Sequence, residues 1–227
     1  MSKYLIQDTT LTALADAVRA KTGSTNEMSL EEIISSIDEI SGGDTGIEDA
    51  MVTGTLTAYT NGRVTSIGNH AFAHCYNLTT ISFPACTSIG SNAFYSCDNL
   101  TTISFPVCTN IGNSAFYQCV GLTTISLPVC TTIGDGAFSF CTNLTSVNLP
   151  ACTEINDRVF YSCTNLTSIN LPACTAIPGY AFSNCINLTS INLPACTAIH
   201  YGAFENCKNL TSVNLPVCTT IDSSAFF

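Results

Sequence analysis

The sequence predicts an α/β solenoid, and three observations carry that prediction. The cysteines fall into two series with a constant step of 22 residues: Cys75, Cys97, Cys119, Cys141, Cys163, Cys185, Cys207 and Cys86, Cys108, Cys130, Cys152, Cys174, Cys196, Cys218. Phenylalanine (Phe72 to Phe226), leucine (Leu78 to Leu210), β-branched (Ile81 to Val213) and proline (Pro84 to Pro216) registers keep the same step, and self-similarity at such a period marks stacked repeats. Finally, one unit cannot stand alone. Its five large apolar side chains gain about 1.5–3 kcal/mol each on burial, against about 1.5 kcal/mol of lost entropy per ordered residue.

Each unit reads approximately L-T-S-I-N-L-P-A-C-T-x-I-G-x-x-A-F-x-x-C-x-N. Leu78, Ile81 and Phe83 point inward from a brief strand while Thr80 and Ser82 alternate outward. Pro84 ends the strand, because it has no N–H for a ladder. Ile89 and the Ala93-Phe94 pair suit a tight helical or 3₁₀ turn that closes the coil. Stability then comes from neighbours whose strands pair about 4.8 Å apart. One unit departs from the pattern: Glu154-Ile155-Asn156-Asp157-Arg158-Val159-Phe160 replaces the small I-G-x-x-A-F turn, and a local bulge is expected there.

Composition narrows the function classes. The chain has 227 residues, 46% hydrophobic and 10% charged, with a net charge of −10. It has no basic footprint for nucleic acid or an anionic membrane, and no apolar run long enough for membrane insertion. Residues 1–50 hold 13 of the 22 charged side chains, so two regions with different physics are expected.

The segment L-x-x-I-x-F-x-x-C-x-x-I (Leu78, Ile81, Phe83, Cys86, Ile89) resembles the conserved segment of leucine-rich repeats, and I-G-x-x-A-F-x-x-C (Ile89 to Cys97) is similar to the BspA-type subclass. The resemblance covers residues 63–227. It implies a right-handed superhelix with a parallel concave sheet, irregular short or 3₁₀ helices on the convex side, and a buried Asn or Cys at the Cys86 register.

Residues 1–41 read as a helical segment. Leu11, Leu14, Ala15 and Val18 share one face, with Gly23 as a stop. Ser29-Leu30-Glu31-Glu32 is a capping box ahead of Ile33, Ile34 and Ile37. Two such short helices are too small to bury both stripes, so they are expected to dock on a partner. Ile6 to Gly23 resembles the opening of phage and prophage tail-associated structural proteins. Residues 42–62 read as a linker followed by a capping strand and turn that cover the first repeat's edge. No 7–15-residue apolar core follows Met1, so no signal peptide is expected. The expected location is therefore the bacterial cytoplasm and then the virion, with the cell surface as alternative.

The candidate sites compete with plainer readings. The cysteines allow disulfides, metal ligation or packed thiols. Nothing has C-x-x-C spacing, a seven-membered ladder leaves one member unpaired, and free Cys packs as a small hydrophobe. His70 and His74 lie i, i+4, yet their registers elsewhere hold Asn92, Ser114, Gly136, Ser96 and Gln118, which are varying surface residues. The recurring Asn-Leu-Thr at Asn77, Asn99, Asn143, Asn165, Asn187 and Asn209 is formally a glycosylation sequon, but turn-forming Asn accounts for it. Glu154 and Asp157 read as a solvated turn, and no nucleophile, phosphate-loop or metalloprotease motif occurs. No catalytic residue, metal or cofactor is expected.

The outward concave positions remain as the candidate binding surface: Thr80, Ser82, Thr102, Ser104, Thr124, Ser126, Ser146, Asn148, Ser168, Asn170, Ser190, Asn192, Ser212 and Asn214. They form a regular sheet of small neutral groups fit for a protein or glycan, but without aromatic anchors. Tyr95, Tyr117 and Tyr161 share a register on the turn side and offer such a stripe. The expected function is a non-enzymatic structural or host-interaction component of a phage or prophage tail. The alternatives are a cell-surface adhesin and a cytoplasmic protein-binding scaffold. Because no polar cap follows Cys218, the expectation is either that these residues are a piece of a longer protein or that a second copy covers the end, as a homodimer through the C-terminal coil.

Overall fold

The computed structural model describes residues 56–227, which form sixteen short strands. The helices expected over residues 1–41, and the phage-like opening with them, lie outside the described residues.

The strands alternate between two lengths. The three-residue strands are β1 (Ala58–Thr60), β3 (Thr80–Ser82), β5 (Thr102–Ser104), β7 (Thr124–Ser126), β9 (Ser146–Asn148), β11 (Ser168–Asn170), β13 (Ser190–Asn192) and β15 (Ser212–Asn214). The two-residue strands are β2 (Ser66–Ile67), β4 (Ser88–Ile89), β6 (Asn110–Ile111), β8 (Thr132–Ile133), β10 (Glu154–Ile155), β12 (Ala176–Ile177), β14 (Ala198–Ile199) and β16 (Thr220–Ile221). Every pairing is parallel and joins equivalent residues of adjacent coils, as in Ile81 with Ile103 and Ile67 with Ile89. The result is a parallel solenoid with two strand ladders along its length. β1 pairs with β3, and Asn61 shapes the turn behind it by accepting from the Arg63 and Val64 amides.

The turn side departs from expectation: no helix occurs among the described residues. In its place each coil runs through consecutive turns, with Ala73 N–H donating to His70 O at 3.1 Å and Cys75 N–H to Phe72 O at 3.3 Å. The reason lies in the backbone. The His70 and His74 registers are left-handed in coil after coil, with φ of 59° and 62° at these two residues and 56° at Asn92, which breaks a helix. That alternation turns amides toward the next coil. His70, Phe72 and His74 donate to the carbonyls of Ser91, Ala93 and Tyr95 at 3.0, 2.7 and 2.7 Å. A third inter-coil ladder therefore satisfies groups that a helix would have paired internally.

Stacking also builds the core. Phe72, Phe94, Phe116, Phe138, Phe160, Phe182, Phe204 and Phe226 form one column, with ring centroids 5.0–5.7 Å apart and planes within 15° of parallel. This is offset stacking at the coil repeat. All fourteen cysteines are free, and all but Cys75, Cys207 and Cys218 are buried. In the turn-side column each thiol from Cys97 to Cys207 donates to the preceding coil's phenylalanine carbonyl, as Cys97 does to Phe72 at 3.0 Å. In the other column the acceptor lies two residues ahead, as for Cys86 and Ser88 at 3.2 Å.

No bulge forms at Glu154–Phe160, since β10 keeps register with β8 and Val159 fills the alanine position in the core. The irregularity comes one coil later. Gly90, Gly112 and Gly134 each donate to the preceding coil's isoleucine carbonyl at 2.8 Å. A Cβ at Gly90 or Gly112 would lie 2.7 Å from the carbonyl carbon of the preceding glycine. Asn156 holds the same bond at 3.0 Å. Pro178, next in the register, has no N–H to give, and the short-strand ladder is interrupted between β10 and β12. The long-strand ladder is interrupted between β5 and β7 and between β11 and β13; the strand residues are the same on both sides of each break, and at the first the flanking Asn99 and Phe105 give way to Gly121 and Leu127.

Candidate functional site

Two surfaces carry polar chemistry. The first is the long-strand face. Parallel pairing in register brings the fourteen Thr, Ser and Asn side chains expected there onto one surface. Most are exposed, and Thr80, Ser82 and Ser146 are half-buried. Their polar groups also satisfy one another along the stack. Asn170 donates to Asn148 Oδ1 at 2.8 Å, Asn214 to Asn192 Oδ1 at 2.8 Å, and Asn148 to Ser126 Oγ at 3.4 Å. The row is neutral and has no large side chain to anchor a partner.

The second surface is on the turn side, where four registers stop repeating together. The register of Tyr95, Tyr117 and Tyr161 holds Ser139 and Ser183 at alternate coils. Tyr95 and Tyr117 stack at 5.0 Å with planes 3° apart. At the next coil the aromatic moves one residue on, to Phe140, whose ring meets Tyr117 at 5.3 Å and Tyr161 at 5.4 Å edge-on. Ser139 is buried and donates to the Arg158 carbonyl at 2.6 Å, and its small side chain leaves a gap beneath the stripe. The gap is a groove of about 540 Å³, walled by Tyr117, Phe140, Tyr161 and Tyr180 with Asp135, Asp157, Arg158 and Glu205 at its rim. A second groove of about 490 Å³ shares Asp157, Arg158 and Tyr180 and continues to His200, Tyr201 and Asp222.

The charges are concentrated here. Residues 56–227 contain six carboxylates, and four of them, Asp135, Asp157, Glu205 and Asp222, line these grooves. Asp157 Oδ1 accepts from the Gly179 amide at 3.0 Å, the role Asn69 and Asn113 play for Ser91 and Asp135. Glu205 accepts from Ser183 at 3.3 Å, and Asp222 pairs with His200 at 3.1 Å. The Arg158 guanidinium lies over the Tyr180 ring, 5.1 Å from its centroid, a cation–π arrangement. Desolvation first, then the neighbouring Tyr201 and Glu205, push the Tyr180 hydroxyl above its ordinary value. Gly202 makes room for that ring, since a Cβ there would lie 2.7 Å from Tyr180 Cε1, and its φ of +63° favours glycine in any case.

The sequence had pointed to part of this surface through the tyrosine register and the divergent Glu154–Phe160 unit. Phe140, Tyr180, Asp135 and Glu205 were not singled out. Their signal was available as coincident departures from the period at Gly136, Ser139 and Ser183. Of the two histidines weighed as metal ligands, His74 Nδ1 faces the Tyr76 hydroxyl at 3.0 Å and His70 faces Asn92 at 3.5 Å. Among the described residues no group of three or more His, Cys, Asp or Glu is placed to hold a metal ion.

A parallel solenoid with a 22-residue coil and its polar chemistry on repeat surfaces is a leucine-rich-repeat protein. The family model for the BspA type leucine rich repeat region matches in six copies over residues 55–151 and 109–227, and the chain belongs to that family. Among solved structures it is similar to a T. pallidum leucine rich repeat protein, at 27% identity and a TM-score of 0.54 over 73% of each chain. A leucine-rich repeat protein from Bacteroides ovatus shares 24% identity over 73% of this chain and 56% of that one, at a TM-score of 0.48. No curated protein matches the chain in sequence.

Proposed function

We propose that the chain is a non-enzymatic binding component of a phage or prophage tail, in which the N-terminal segment docks on the particle and the solenoid presents a protein- or glycan-binding surface. The observation that carries the binding role is the turn-side groove. It is the place where aromatic rings and carboxylates converge on a scaffold otherwise faced with neutral Thr, Ser and Asn. The neutral long-strand row is a separate, secondary contact surface. The tail assignment rests on the resemblance of Ile6 to Gly23. The proposal includes a homodimer through the C-terminal coil, where Ile221, Phe226 and Phe227 are exposed beside the sheet-edge strands β15 and β16.

Particle purification tests the assignment. Prophage induction in the source strain, density-gradient isolation of particles and immunodetection with antibody against residues 63–227 should place the chain in the particle fraction. Recovery from the cell envelope alone would refute the tail assignment and favour an adhesin.

A further inference from the structure

We propose that the turn-side groove is a binding site for a cationic peptide segment, with a lysine or arginine side chain seated among Tyr117, Phe140 and Tyr161 and balanced by Asp135 and Asp157. The proposal deepens the binding role above and rests on it. Three observations lead to the cation.

The first is charge complementarity. The groove has three carboxylates at its rim and one guanidinium, and the adjoining groove adds Asp222. In a region with six carboxylates over 172 residues, that placement makes this face strongly electronegative, which attracts a positive partner and speeds its arrival. The second is the walls. Half-exposed aromatic faces and edges from Tyr117, Phe140 and Tyr161 line the same space, and an ammonium or guanidinium is drawn to ring faces by their quadrupole. The molecule already holds one cation this way, Arg158 over Tyr180 at 5.1 Å. The third is vacant acceptor capacity. Asp157 uses one oxygen on Gly179 N–H, and the exposed Asp135 carboxylate accepts no hydrogen bond among the described residues. Both can take charge-assisted bonds from an incoming N–H. An extended segment suits the geometry, because the two grooves follow one another along the coil axis through shared residues.

The repeat itself supplies variants that keep the fold. Asn occupies the Asp157 register at Asn69 and Asn113 and accepts the same next-coil amide, so Asp157→Asn and Asp135→Asn remove charge without removing a structural bond. Ser occupies the Tyr161 register at Ser139 and Ser183, so Tyr161→Ser is tolerated by the coil. Hexalysine is titrated into the full chain by calorimetry at 50 mM salt, with hexaglutamate and a neutral hexasaccharide as parallel probes.

Binding of hexalysine is expected to weaken at least tenfold in Asp135→Asn/Asp157→Asn and in Tyr161→Ser, and to fall as salt rises to 200 mM. Circular dichroism confirms that each variant is folded. Hexalysine binding that ignores these variants comes from the acidic chain at large and overturns the site. Capture of the neutral hexasaccharide, lost in Tyr161→Ser but kept in the Asn variants, overturns the cation in favour of a glycan and leaves the binding role intact. No binding of any probe overturns the cation; the tail assignment is decided separately by the particle experiment.

Discussion

Raising the pH should unfold this protein through its thiols, well before its tyrosines and lysines titrate in full. Burial pushes Cys141 up from 9.0 to about 12, with a hydrogen bond from the Cys119 backbone only partly offsetting the shift. Cys75, Cys130, Cys152 and Cys207 are likewise pushed up to about 12, with desolvation the largest cause in each. The sign follows from which state holds the proton. Below about pH 8 the thiols are protonated in both the folded and unfolded chains, and stability is unaffected. Between about pH 8 and about 12 the unfolded chain loses thiol protons that the folded chain keeps, so stability falls as pH rises. At pH 10 an unfolded thiol of pKa 9.0 is about nine-tenths ionised, and the folded state is then weakened by about 1.4 kcal/mol per fully buried thiol. A few such groups consume much of the ~5–15 kcal/mol that holds a typical domain. Thermal melts followed by circular dichroism in reducing buffer at pH 7, 8, 9 and 10 should show a flat Tm to about pH 8 and an increasingly steep fall above it. Cys141→Ala should lessen the pH dependence while lowering stability at pH 8. A Tm unchanged from pH 8 to 10 would refute the reasoning, as would the same fall after several of these cysteines are replaced.

The same burial makes the native thiols slow. At pH 8 Cys141, with its pKa near 12, holds on the order of a thousandfold less thiolate than an ordinary cysteine. A thiol reagent should therefore label the native chain far more slowly than the denatured chain, and bridges in non-reducing mass analysis would contradict this. Phe160→Ala removes the ring between Phe138 and Phe182, at 5.7 and 5.5 Å, and should lower stability by about 3–5 kcal/mol in denaturant titration. Gly202→Ala forces a left-handed alanine against the Tyr180 ring; a cost of about 1–2 kcal/mol is expected, with a changed Tyr180 environment in NMR spectra. Phe226→Asp with Phe227→Asp should reduce the apparent mass in light scattering, and a wild type that stays monomeric at high concentration rules out the dimer.

The repeat period made the ladders legible because a solenoid contact is a contact between equivalent residues. Once Ile81 is placed above Ile103, the phenylalanine column and both thiol columns follow without further information. The turn side was less legible. Ala93-Phe94 with nearby apolar residues fits a helical turn as well as it fits what is there. The deciding feature, a left-handed residue at the His70 and His74 registers, is written in residues as different as Asn92, Arg158, Tyr180 and Phe140. Asn and His tolerate that conformation more readily than most residues. Arg158, Tyr180 and Phe140 adopt it because the inter-coil ladder on either side holds them there. No local propensity reports such an effect, since it comes from the neighbouring coils.

That difference explains why the groove is composed of exceptions. A position in the stack packs against its equivalents above and below, so a core change is felt by both neighbours: a phenylalanine missing from the column leaves each of two rings short of one partner. A turn-side position has its backbone held by the ladder while its side chain is free to vary. Ser139 opens a gap, Phe140 takes the ring one residue further on, and Asp135 and Asp157 bring charge where other coils have Asn, Ser, Gly or Tyr. Each change is tolerated because the backbone bonds around it are kept. The one exception that breaks a bond, Pro178, sits in the coil that also contributes Tyr180 to both grooves. In a chain whose period accounts for its stability, binding chemistry is located by the departures from the period, and here they fall together on one face.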